Sequence, residues 1–484
     1  MRTPARGTAA LLTLTLALAA GLAGSAGIAQ AQDKGSHDDS RRIKNVIYLL
    51  GDGMGRTHVT AARERYYGAA GNLVMETLPA VGQISTYAVQ QGSGQPGEAG
   101  FVPNLVTDSA SAATAWSSGV KTYNAALGVD AKGTVVPTLM ELAHQSGLRT
   151  GNVSTAEITD ATPAGQMSHV LLRGCQGPSY SAAACQNTSL VGTLPTSDVR
   201  VTPVADQIAR NQTADVILGG GLSRFDAADE TALESNGYDV LGSPASQTVA
   251  TKTDLAGASS DKVFALFNKG NLTIEKFKRE NPASVQAQEP DLAAMTTKAI
   301  QLLSSGKKGF YLQVEGALID KRSHANDAGQ TLEEMKAFDE AVRVAKEFAA
   351  KDGHTLVVVT ADHECAGFNI IEKGTFSNAE ATTPPANVDS GNTANNSTPS
   401  RATGGTKDPA RAAFAPATFR TPDDAAGVLD GSPDASLWLT YLSGNHTGAD
   451  VPVFAYGPGS DELEGSIDNT DLFDIVGDAL RLTS

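Results

Sequence analysis

One serine stands where an extended segment gives way to a run of very small residues. This is Ser109, in the sequence Val-Thr-Asp-Ser-Ala-Ser-Ala-Ala-Thr-Ala that covers positions 106–115. No bulky side chain follows it for five positions, so a substrate and metal ions can approach its hydroxyl closely. A free serine is a poor nucleophile and needs a neighbouring base or a metal ion. The Gly-x-Ser-x-Gly turn of many serine hydrolases does not surround it, so the segment favours a serine activated by metal ions.

Carboxylates and histidines elsewhere in the chain have the spacing of metal ligands. Asp320 and His324 are four residues apart, so one turn of a helix directs both side chains at a single ion. Asp362 and His363 closely follow the apolar run 356–359, which is typical of a buried strand. Active sites of open α/β sheets lie at the carboxyl ends of such strands. With His446, three of the eight histidines fall in segments of this kind.

Each segment also has a purely structural interpretation. Gly51-Asp52-Gly53 could be a tight turn between a strand and a helix, because it lacks the Lys-Ser/Thr pair of a P-loop and the spacing of a dinucleotide fingerprint. Asp160, which precedes Ala-Thr-Pro, could cap a turn. Coincidence in every segment at once is less credible than one shared site.

Taken together, segments 51–55, 106–115, 159–173, 313–324, 360–363 and 444–448 resemble the bacterial alkaline phosphatase family in type and order. The resemblance extends from about Lys44 to the C-terminus. It implies hydrolysis of phosphate monoesters through a phosphoserine intermediate on Ser109, with release of inorganic phosphate, and it implies two Zn²⁺ ions and one Mg²⁺ ion per chain. The implied ligands are Asp320, His324 and His446 for the first zinc, Asp52, Asp362, His363 and Ser109 for the second zinc, and Asp52, Asp160, Thr162 and Glu315 for magnesium.

Three further residues match catalytic residues of the family. Arg173 matches a clamp on the phosphate oxygens, Asp108 the residue that orients this arginine, and Lys321 a water-mediated contact to phosphate. A planar guanidinium can bind two phosphate oxygens as a fork. Mixed imidazole and carboxylate ligands with an open position suit catalytic zinc, and an all-oxygen set suits magnesium. Two metals roughly 3.5–4 Å apart can stabilise the attacking and the leaving oxygen together.

The chain has three cysteines. The resemblance implies a disulfide between Cys175 and Cys185, shortly after Arg173. A bridge over so short a loop contributes about 2–3 kcal/mol to the free energy of unfolding, and it would steady the surroundings of the arginine. Cys365 is left over, three residues after Asp362, and departs from the histidine-coordinated pattern of the family. We expect a buried spare thiol there rather than a zinc ligand.

The order of predicted elements indicates an α/β fold. Strands are predicted at 45–50, 148–153, 309–314 and 355–360, and helices near 57–66 and at 291–303 and 332–348. Such alternation implies a sheet with helices on both faces, and the strand at 355–360 is apolar on both faces, as a central parallel strand should be. A TIM barrel has a similar alternation. The family resemblance favours a large central, mostly parallel sheet sandwiched between helices, with a loop-rich insertion.

We predict a signal peptide, a short linker and one domain. Arg2 and Arg6 precede an apolar run over 9–22, and Ala-Gln-Ala at 29–31 offers a cleavage site, so residues 1–31 are interpreted as an export signal to the periplasm or the extracellular space. Residues 32–43 form a flexible segment, and residues 44–484 form the alkaline phosphatase domain. Within it, residues 373–433 are a low-complexity insertion. A solvated insertion without function is favoured somewhat over a rim or partial lid of the site.

Charge and hydropathy limit the partners. The net charge is −16 at pH 7, and it becomes −18 when the two arginines of the signal are removed. An acidic protein argues against nucleic acids and anionic membranes as partners, and no stretch after the signal is long and apolar enough to span a bilayer. Phosphate monoesters and inorganic phosphate are the expected ligands. The resemblance also implies a homodimer.

Two other functions stay open at this point. One is a phosphodiesterase or related esterase of the same superfamily, against which both Ser109 and Arg173 argue. The other is a secreted phosphate-binding module without turnover. Such a module has no need of a serine between Asp108 and the small-residue helix.

Overall fold

A computed structural model of the protein describes residues 42–374, 392–395 and 417–482. The predicted signal peptide 1–31, nearly all of segment 32–43, and residues 375–391 and 396–416 of insertion 373–433 lie outside these ranges. The described residues belong to one compact unit. Among them, no helix has both the length and the apolar character needed to cross a membrane.

Strands and helices alternate along the chain. The strands are β1 (Asn45–Gly51), β2 (Ala80–Ser85), β3 (Ala88–Val89), β4 (Pro103–Asn104), β5 (Arg149–Glu157), β6 (Val216–Gly220), β7 (Asp239–Leu241), β8 (Val263–Leu266), β9 (Phe310–Gly316), β10 (Thr355–Thr360), β11 (Glu364–Cys365), β12 (Asn369–Ile370), β13 (Ala417–Phe419), β14 (Leu437–Thr440), β15 (His446–Thr447), β16 (Val451–Tyr456) and β17 (Gly465–Asp468). The helices are α1 (Arg56–Tyr67), α2 (Ser109–Ser118), α3 (Leu139–Gln145), α4 (Ala161–Ala164), α5 (Ala182–Cys185), α6 (Thr188–Val191), α7 (Val204–Asn211), α8 (Ala227–Ser235), α9 (Lys252–Gly257), α10 (Glu275–Glu280), α11 (Leu292–Leu303), α12 (Leu318–His324), α13 (Ala328–Asp352) and α14 (Asp471–Leu480).

Ten of the strands form one sheet, in the order β17-β2-β16-β10-β1-β9-β5-β6-β8-β7. Its neighbouring strands run parallel, except that β16 is antiparallel to both β10 and β2. The strands β1, β9 and β10 are buried along their whole length, as a sheet covered on both faces requires. The predicted mostly parallel sheet is confirmed. In the described residues the strand order is linear, with β17 and β7 at its ends, and is not the closed ring of a TIM barrel.

Helices cover both faces of this sheet. Phe310, at the start of β9, packs against Phe348 of α13, with ring centroids 5.8 Å apart. Gln313, on the same strand, accepts a hydrogen bond from Nε1 of Trp116 on α2 at 3.4 Å. Because successive side chains of a strand point to opposite faces, residues three apart do so as well. The helices α13 and α2 therefore lie on opposite sides of the sheet, which confirms the predicted sandwich.

The predicted elements agree with the observed ones except at their ends. The strand predicted at 355–360 has these same bounds. The helix predicted at 332–348 begins earlier, at Ala328, because Asp327 accepts a hydrogen bond from the backbone N–H of Gln330 and caps the helix. It ends at Asp352 because Gly353 adopts the left-handed conformation, with a φ of 73°. The predicted range 332–348 therefore covers only the central turns of the helix.

Phe338 supports the end of β9 from the side of α13. It is fully buried, and a Cβ atom on Gly316 would lie 2.8 Å from Phe338 Cδ2. Because removal of the ring leaves a cavity there, we expect Phe338→Ala to lower the free energy of unfolding by about 3–5 kcal/mol. Val285→Ala is the control at an exposed position, with an expected change of at most about 0.5 kcal/mol. Urea unfolding followed by tryptophan fluorescence measures both, and equal midpoints for the two variants would refute this packing role.

Candidate active site

The predicted site residues meet at one end of the central strands. β10, β1, β9 and β5 are neighbours and run parallel, so their carboxyl ends lie side by side. The residues at these ends are Asp52 after β1, Asp160 and Thr162 after β5, Glu315 near the end of β9, and Asp362 and His363 after β10. Two other elements complete the site: α12 follows β9, and β15 pairs with β11 directly after His363.

Ser109 is the first residue of α2 and is almost fully buried. Asp108 caps this helix, because its Oδ1 accepts a hydrogen bond from the backbone N–H of Ser111 at 2.9 Å. Ser109 Oγ lies 3.2 Å from Nε2 of His363. The serine hydroxyl is therefore at the positive end of a helix and beside a predicted metal ligand.

The contacts of His363 argue against a serine-hydrolase triad. In a triad, the histidine binds the serine through one ring nitrogen and the carboxylate through the other. Here Nε2 faces Ser109 and also lies 2.9 Å from Oδ2 of Asp362 and 3.8 Å from Oδ1 of Asp52. The other ring nitrogen, Nδ1, has no hydrogen-bond partner. One nitrogen that faces three oxygens is an arrangement typical of ligands around a metal ion.

The two histidines of the first predicted zinc site face each other. Asp320 and His324 lie one turn apart on α12, as their spacing predicted, and Asp320 Oδ2 is 3.2 Å from His324 Nε2. The Nδ1 atoms of His324 and His446 bind the backbone carbonyls of Gly444 and Thr107. Each ring therefore donates from Nδ1 and directs Nε2 into the site. These Nε2 atoms are 3.1 Å apart, and Asp320 lies beside both of them, so the three residues fit one metal ion.

Asp52 is the centre of a cluster of buried carboxylates. Burial, together with the charges of Asp362, Asp320 and Glu315, raises the pKa of Asp52 well above its usual range. The Oδ1 atoms of Asp52 and Asp320 are buried without a hydrogen-bond partner. Buried like charges and unpaired oxygens are unfavourable unless a cation neutralises them. One donor atom each from Asp52, Asp320 and His363 lie within 4.8 Å of one another, so the structure groups two predicted ligands of the second zinc with Asp320, which was predicted for the first.

Glu315 and Thr162 extend this cluster with oxygen donors. Both residues are buried, and the hydroxyl group of Ser154 donates a hydrogen bond to the Glu315 carboxyl, whereas the Thr162 hydroxyl oxygen has no hydrogen-bond partner. Burial nevertheless raises the pKa of Glu315 to about 7. Carboxylate and hydroxyl oxygens are the ligands that Mg²⁺ prefers. The surroundings of Asp52, Thr162 and Glu315 therefore fit the predicted magnesium site.

A chain of ion pairs holds Arg173 and Lys321. Arg173 donates from Nη1 to Asp108 Oδ2 at 3.2 Å and from Nη2 to Asp160 Oδ1 at 2.8 Å, and Lys321 Nζ donates to Asp160 Oδ2 at 2.7 Å. Burial alone would raise the pKa of Asp160, but Lys321 and Arg173 outweigh it and hold that pKa well below its usual range. Asp160 thus orients Arg173 together with Asp108, and both of its oxygens already bind cations. Its place in a magnesium shell stays a prediction.

The disulfide implied between Cys175 and Cys185 is present. It closes a loop that begins just after Arg173, whose backbone N–H donates to the carbonyl of Ala125 at 2.6 Å. The backbone N–H of Cys175 in turn donates to the carbonyl of Leu172 at 3.0 Å. The bridge and these hydrogen bonds fix the chain on both sides of the arginine.

Cys365 is a free, buried thiol, as predicted, and it lies beside Asp320, His324 and His446, the predicted ligands of the first zinc. The sequence contains one signal for this position. Cys365 follows His363 by two residues in an extended segment, and such residues share a face of the chain. Only the pairing of β11 with β15 brings that face to His446.

Comparison with known proteins identifies the family of this chain. Residues 43–482 match the family model described as alkaline phosphatase. The chain belongs to the alkaline phosphatase family. As an alkaline phosphatase it is a phosphoric monoester hydrolase, which confirms the activity predicted from the sequence.

Several named relatives share most of their length with this alkaline phosphatase. The alkaline phosphatase of Escherichia coli K12 is 37% identical over 468 residues, which cover 91% of this chain and 86% of that protein. Alkaline phosphatase H of Pseudomonas aeruginosa is 34% identical over 476 residues, with 91% and 86% covered. Streptomycin-6-phosphate phosphatase of Streptomyces griseus is 35% identical over 468 residues, with 91% of each chain covered.

Solved structures confirm the fold class of the alkaline phosphatase. The enzyme of the Antarctic bacterium TAB5 is 27% identical, with a TM-score of 0.62 over 92% of this chain and 99% of that chain. The Thermus thermophilus enzyme, at 24% identity, shares the fold with a TM-score of 0.65 over 95% of this chain and 96% of its own.

Removal of the Asp52 charge from the carboxylate cluster should not destabilise the metal-free protein. Because Asp52→Asn relieves repulsion, we expect the metal-free variant to unfold at a temperature at least as high as that of the metal-free wild type. A metal site at a hundredfold excess over its Kd stabilises by about 2.7 kcal/mol, and this gain should shrink in the variant. Calorimetry after chelation and after reloading with zinc and magnesium measures both quantities.

The exposed carboxylate Asp461 provides the matched control. Asp461→Asn should change neither the stability of the metal-free protein nor the gain from metals. If metal-free Asp52→Asn is clearly less stable than the wild type, the carboxylates do not repel one another as their positions indicate.

Proposed function

We propose that Ser109 is the nucleophile of this alkaline phosphatase. Its Oγ attacks the phosphorus of a phosphate monoester, the bond from phosphorus to the ester oxygen breaks, and the proton lost from Ser109 ends on the departing alcohol. The phosphoryl group stays on Ser109 as phosphoserine until water releases it as inorganic phosphate. The observation that carries the proposal is the place of Ser109 at the start of α2, 3.2 Å from a His363 nitrogen that also faces two carboxylates. The N-terminus of a helix attracts phosphate.

We also propose that the enzyme holds two Zn²⁺ ions and one Mg²⁺ ion. The residues proposed to hold them are Asp320, His324 and His446 for the first zinc, Asp52, Asp362, His363 and Ser109 for the second, and Asp52, Asp160, Thr162 and Glu315 for magnesium. When bound, these ions supply positive charge to the serine oxygen and to the leaving-group oxygen. The facing histidine nitrogens and the unpaired carboxylate oxygens support the proposal. A variant of the TAB5 enzyme is described with Mg bound in its M3 site, which supports the magnesium part.

Arg173 binds the phosphate group in this mechanism. Asp108 and Asp160 fix the plane of its guanidinium, so its remaining N–H groups form a fork for two phosphate oxygens. Asp160 also fixes Lys321, whose ammonium group adds positive charge and contacts phosphate through water. Because carboxylates already hold both cations in place, little reorganisation is needed when the phosphoryl group is transferred.

The proposal places the enzyme outside the cytoplasm, in the periplasm or the extracellular space. The signal sequence 1–31 supports export, and so does the disulfide, because disulfides persist in oxidising compartments. Its partners are phosphate monoesters and inorganic phosphate, with no role for nucleic acid or membrane. The family resemblance supports a homodimer.

Ser109→Ala tests the nucleophile. We expect turnover of p-nitrophenyl phosphate to fall by roughly 10³-fold or more, because the attacking oxygen is lost. The fold and the metal content should stay nearly intact, because Asp52, Asp362 and His363 still bind the second zinc. Ser117→Ala, on the same helix, is the matched control. Its hydroxyl binds the carbonyl of Gly165 and lies outside the site, so turnover should match the wild type.

Acid quenching with labelled phosphate, followed by peptide mapping, identifies the phosphorylated residue. The label should appear on the peptide that contains Ser109. Wild-type turnover in Ser109→Ala, or a label on another residue, would overturn the proposal. Faster hydrolysis of bis(p-nitrophenyl) phosphate than of the monoester would instead favour a phosphodiesterase.

Arg173→Ala tests the phosphate clamp. Hydrogen bonds to a charged group contribute about 1.5–3 kcal/mol, so we expect the inhibition constant of inorganic phosphate to rise roughly 10- to 150-fold. Arg173→Lys should recover only part of this loss, because an ammonium group lacks the fork. Arg200→Ala is the control, since Arg200 is also paired with an aspartate, Asp198, but lies outside the site. An unchanged inhibition constant in Arg173→Ala would count against the clamp.

A further inference from the structure

Cys365 lies among the residues proposed to bind the first zinc ion, Asp320, His324 and His446. Its Sγ atom, an oxygen of Asp320 and a ring nitrogen each of His324 and His446 lie within 4.8 Å of one another. Cys365 is fully buried, and so is the Oδ1 atom of Asp320 that has no hydrogen-bond partner. Zinc binds nitrogen and oxygen at about 2.0 Å and sulfur at about 2.3 Å, so donors around one ion are roughly 3.3–4.5 Å apart. The four residues already have nearly this spacing.

The backbone around Cys365 is fixed from two sides. Its N–H donates to the carbonyl of Gly53 at 3.1 Å, and the residue pairs with His446 in the ladder of β11 and β15. Gly53 has a φ of 70°, and a Cβ atom there would lie 2.8 Å from Cys365 Cβ and 2.9 Å from Asp320 Oδ1. Only a glycine leaves room for the thiol and the carboxylate side by side. Packing therefore directs the sulfur towards the metal group.

We propose that Cys365 is a fourth protein ligand of the first metal site, which then has one carboxylate, two imidazoles and one thiolate as donors. The inference rests on the metal site proposed for Asp320, His324 and His446. When the metal binds, a bond from sulfur to the metal forms, and the thiol proton passes to water.

A sulfur ligand changes which ion this site selects. Thiolate is a soft donor that favours zinc over magnesium and manganese. The neighbouring set of Asp52, Thr162 and Glu315 offers only oxygen, which magnesium prefers. Two adjacent sites of different softness direct each ion to its own place. A position for a substrate oxygen is still available, because zinc can expand to five ligands.

The competing arrangement is a protonated thiol that only positions Asp320. In that case Cys365 donates a weak hydrogen bond to the backbone carbonyl of Asp320, which is 3.8 Å from Sγ. The two arrangements differ in absorption, because only a metal-bound thiolate gives charge transfer from sulfur to the metal.

Cobalt substitution of the full chain distinguishes the two. We expect the Co²⁺-loaded wild type to show a near-ultraviolet charge-transfer band from thiolate to cobalt. Cys365→Ser and Cys365→Ala should both lose this band but keep the visible bands that arise from the histidine and carboxylate ligands. Without a reducing agent, Cys175 and Cys185 stay bridged and contribute nothing. Absence of the band from the wild type with its sites filled, or its persistence in Cys365→Ala, would overturn the proposal. The wild-type spectrum decides even if a variant does not fold.

Zinc affinity gives a second readout. Competition with a chromophoric chelator should show that Cys365→Ser raises the Kd of one zinc ion by about tenfold or more, with magnesium binding unchanged. An unchanged zinc Kd would contradict the assignment of Cys365 as a ligand. Neither measurement needs turnover. A failure to label Ser109 would therefore refute the proposed mechanism without affecting this inference, and a missing cobalt band would do the reverse.

Discussion

The carboxylates of Asp52, Asp320, Asp362 and Glu315 are buried close together where the central strands end. Such a concentration of negative charge is unfavourable inside a protein unless positive charge is placed among it. Lys321 lowers the pKa of Asp52, but burial and the three neighbouring carboxylates outweigh it. Its ammonium group is already bound to Asp160. His324 and His363 supply part of the balance, because the carboxylates beside them raise the pKa of both rings. The proposed metal ions would supply the rest.

The central strands prevent the buried carboxylates from moving apart under this repulsion. β10, β1 and β9 are buried along their whole length and joined by parallel ladders, so the residues that follow them cannot move apart independently. Helices on both faces clamp these strands further. Arg173 and Lys321 are held by carboxylates as well, and Asp160 pairs with both of them. Asp160 therefore links the charges proposed to bind phosphate with those proposed to bind metal ions.

Local spacing predicted the parts of the site that local structure decides. Asp320 and His324 could be paired from the sequence because helical periodicity alone brings them together, and the ligands after β10 followed from an apolar run. The family resemblance supplied the remaining roles. Cys365 was set aside because its place depends on the pairing of β11 with β15, two segments that are distant in sequence. Likewise, Asp160 binds both Arg173 and Lys321 because tertiary packing brings the three side chains together. The start of α13 is set by a polar cap, Asp327, which lies before the predicted range.

The ladder between β11 and β15 closes residues 366–445 into a long loop on the chain that carries the site residues. It joins the backbone on either side of residues 366–445, with Cys365 opposite His446 and Glu364 opposite Thr447. A stretch closed at its base in this way can gain or lose residues without changing the distance between the ligands at its two ends. Within it, Asn392 and Asn395 bind the backbone of residues 271–274, and β13 pairs with β14, so these parts are held by the domain. A reporter or affinity domain inserted within residues 366–445 would join the enzyme in a loop whose two ends the ladder holds in place.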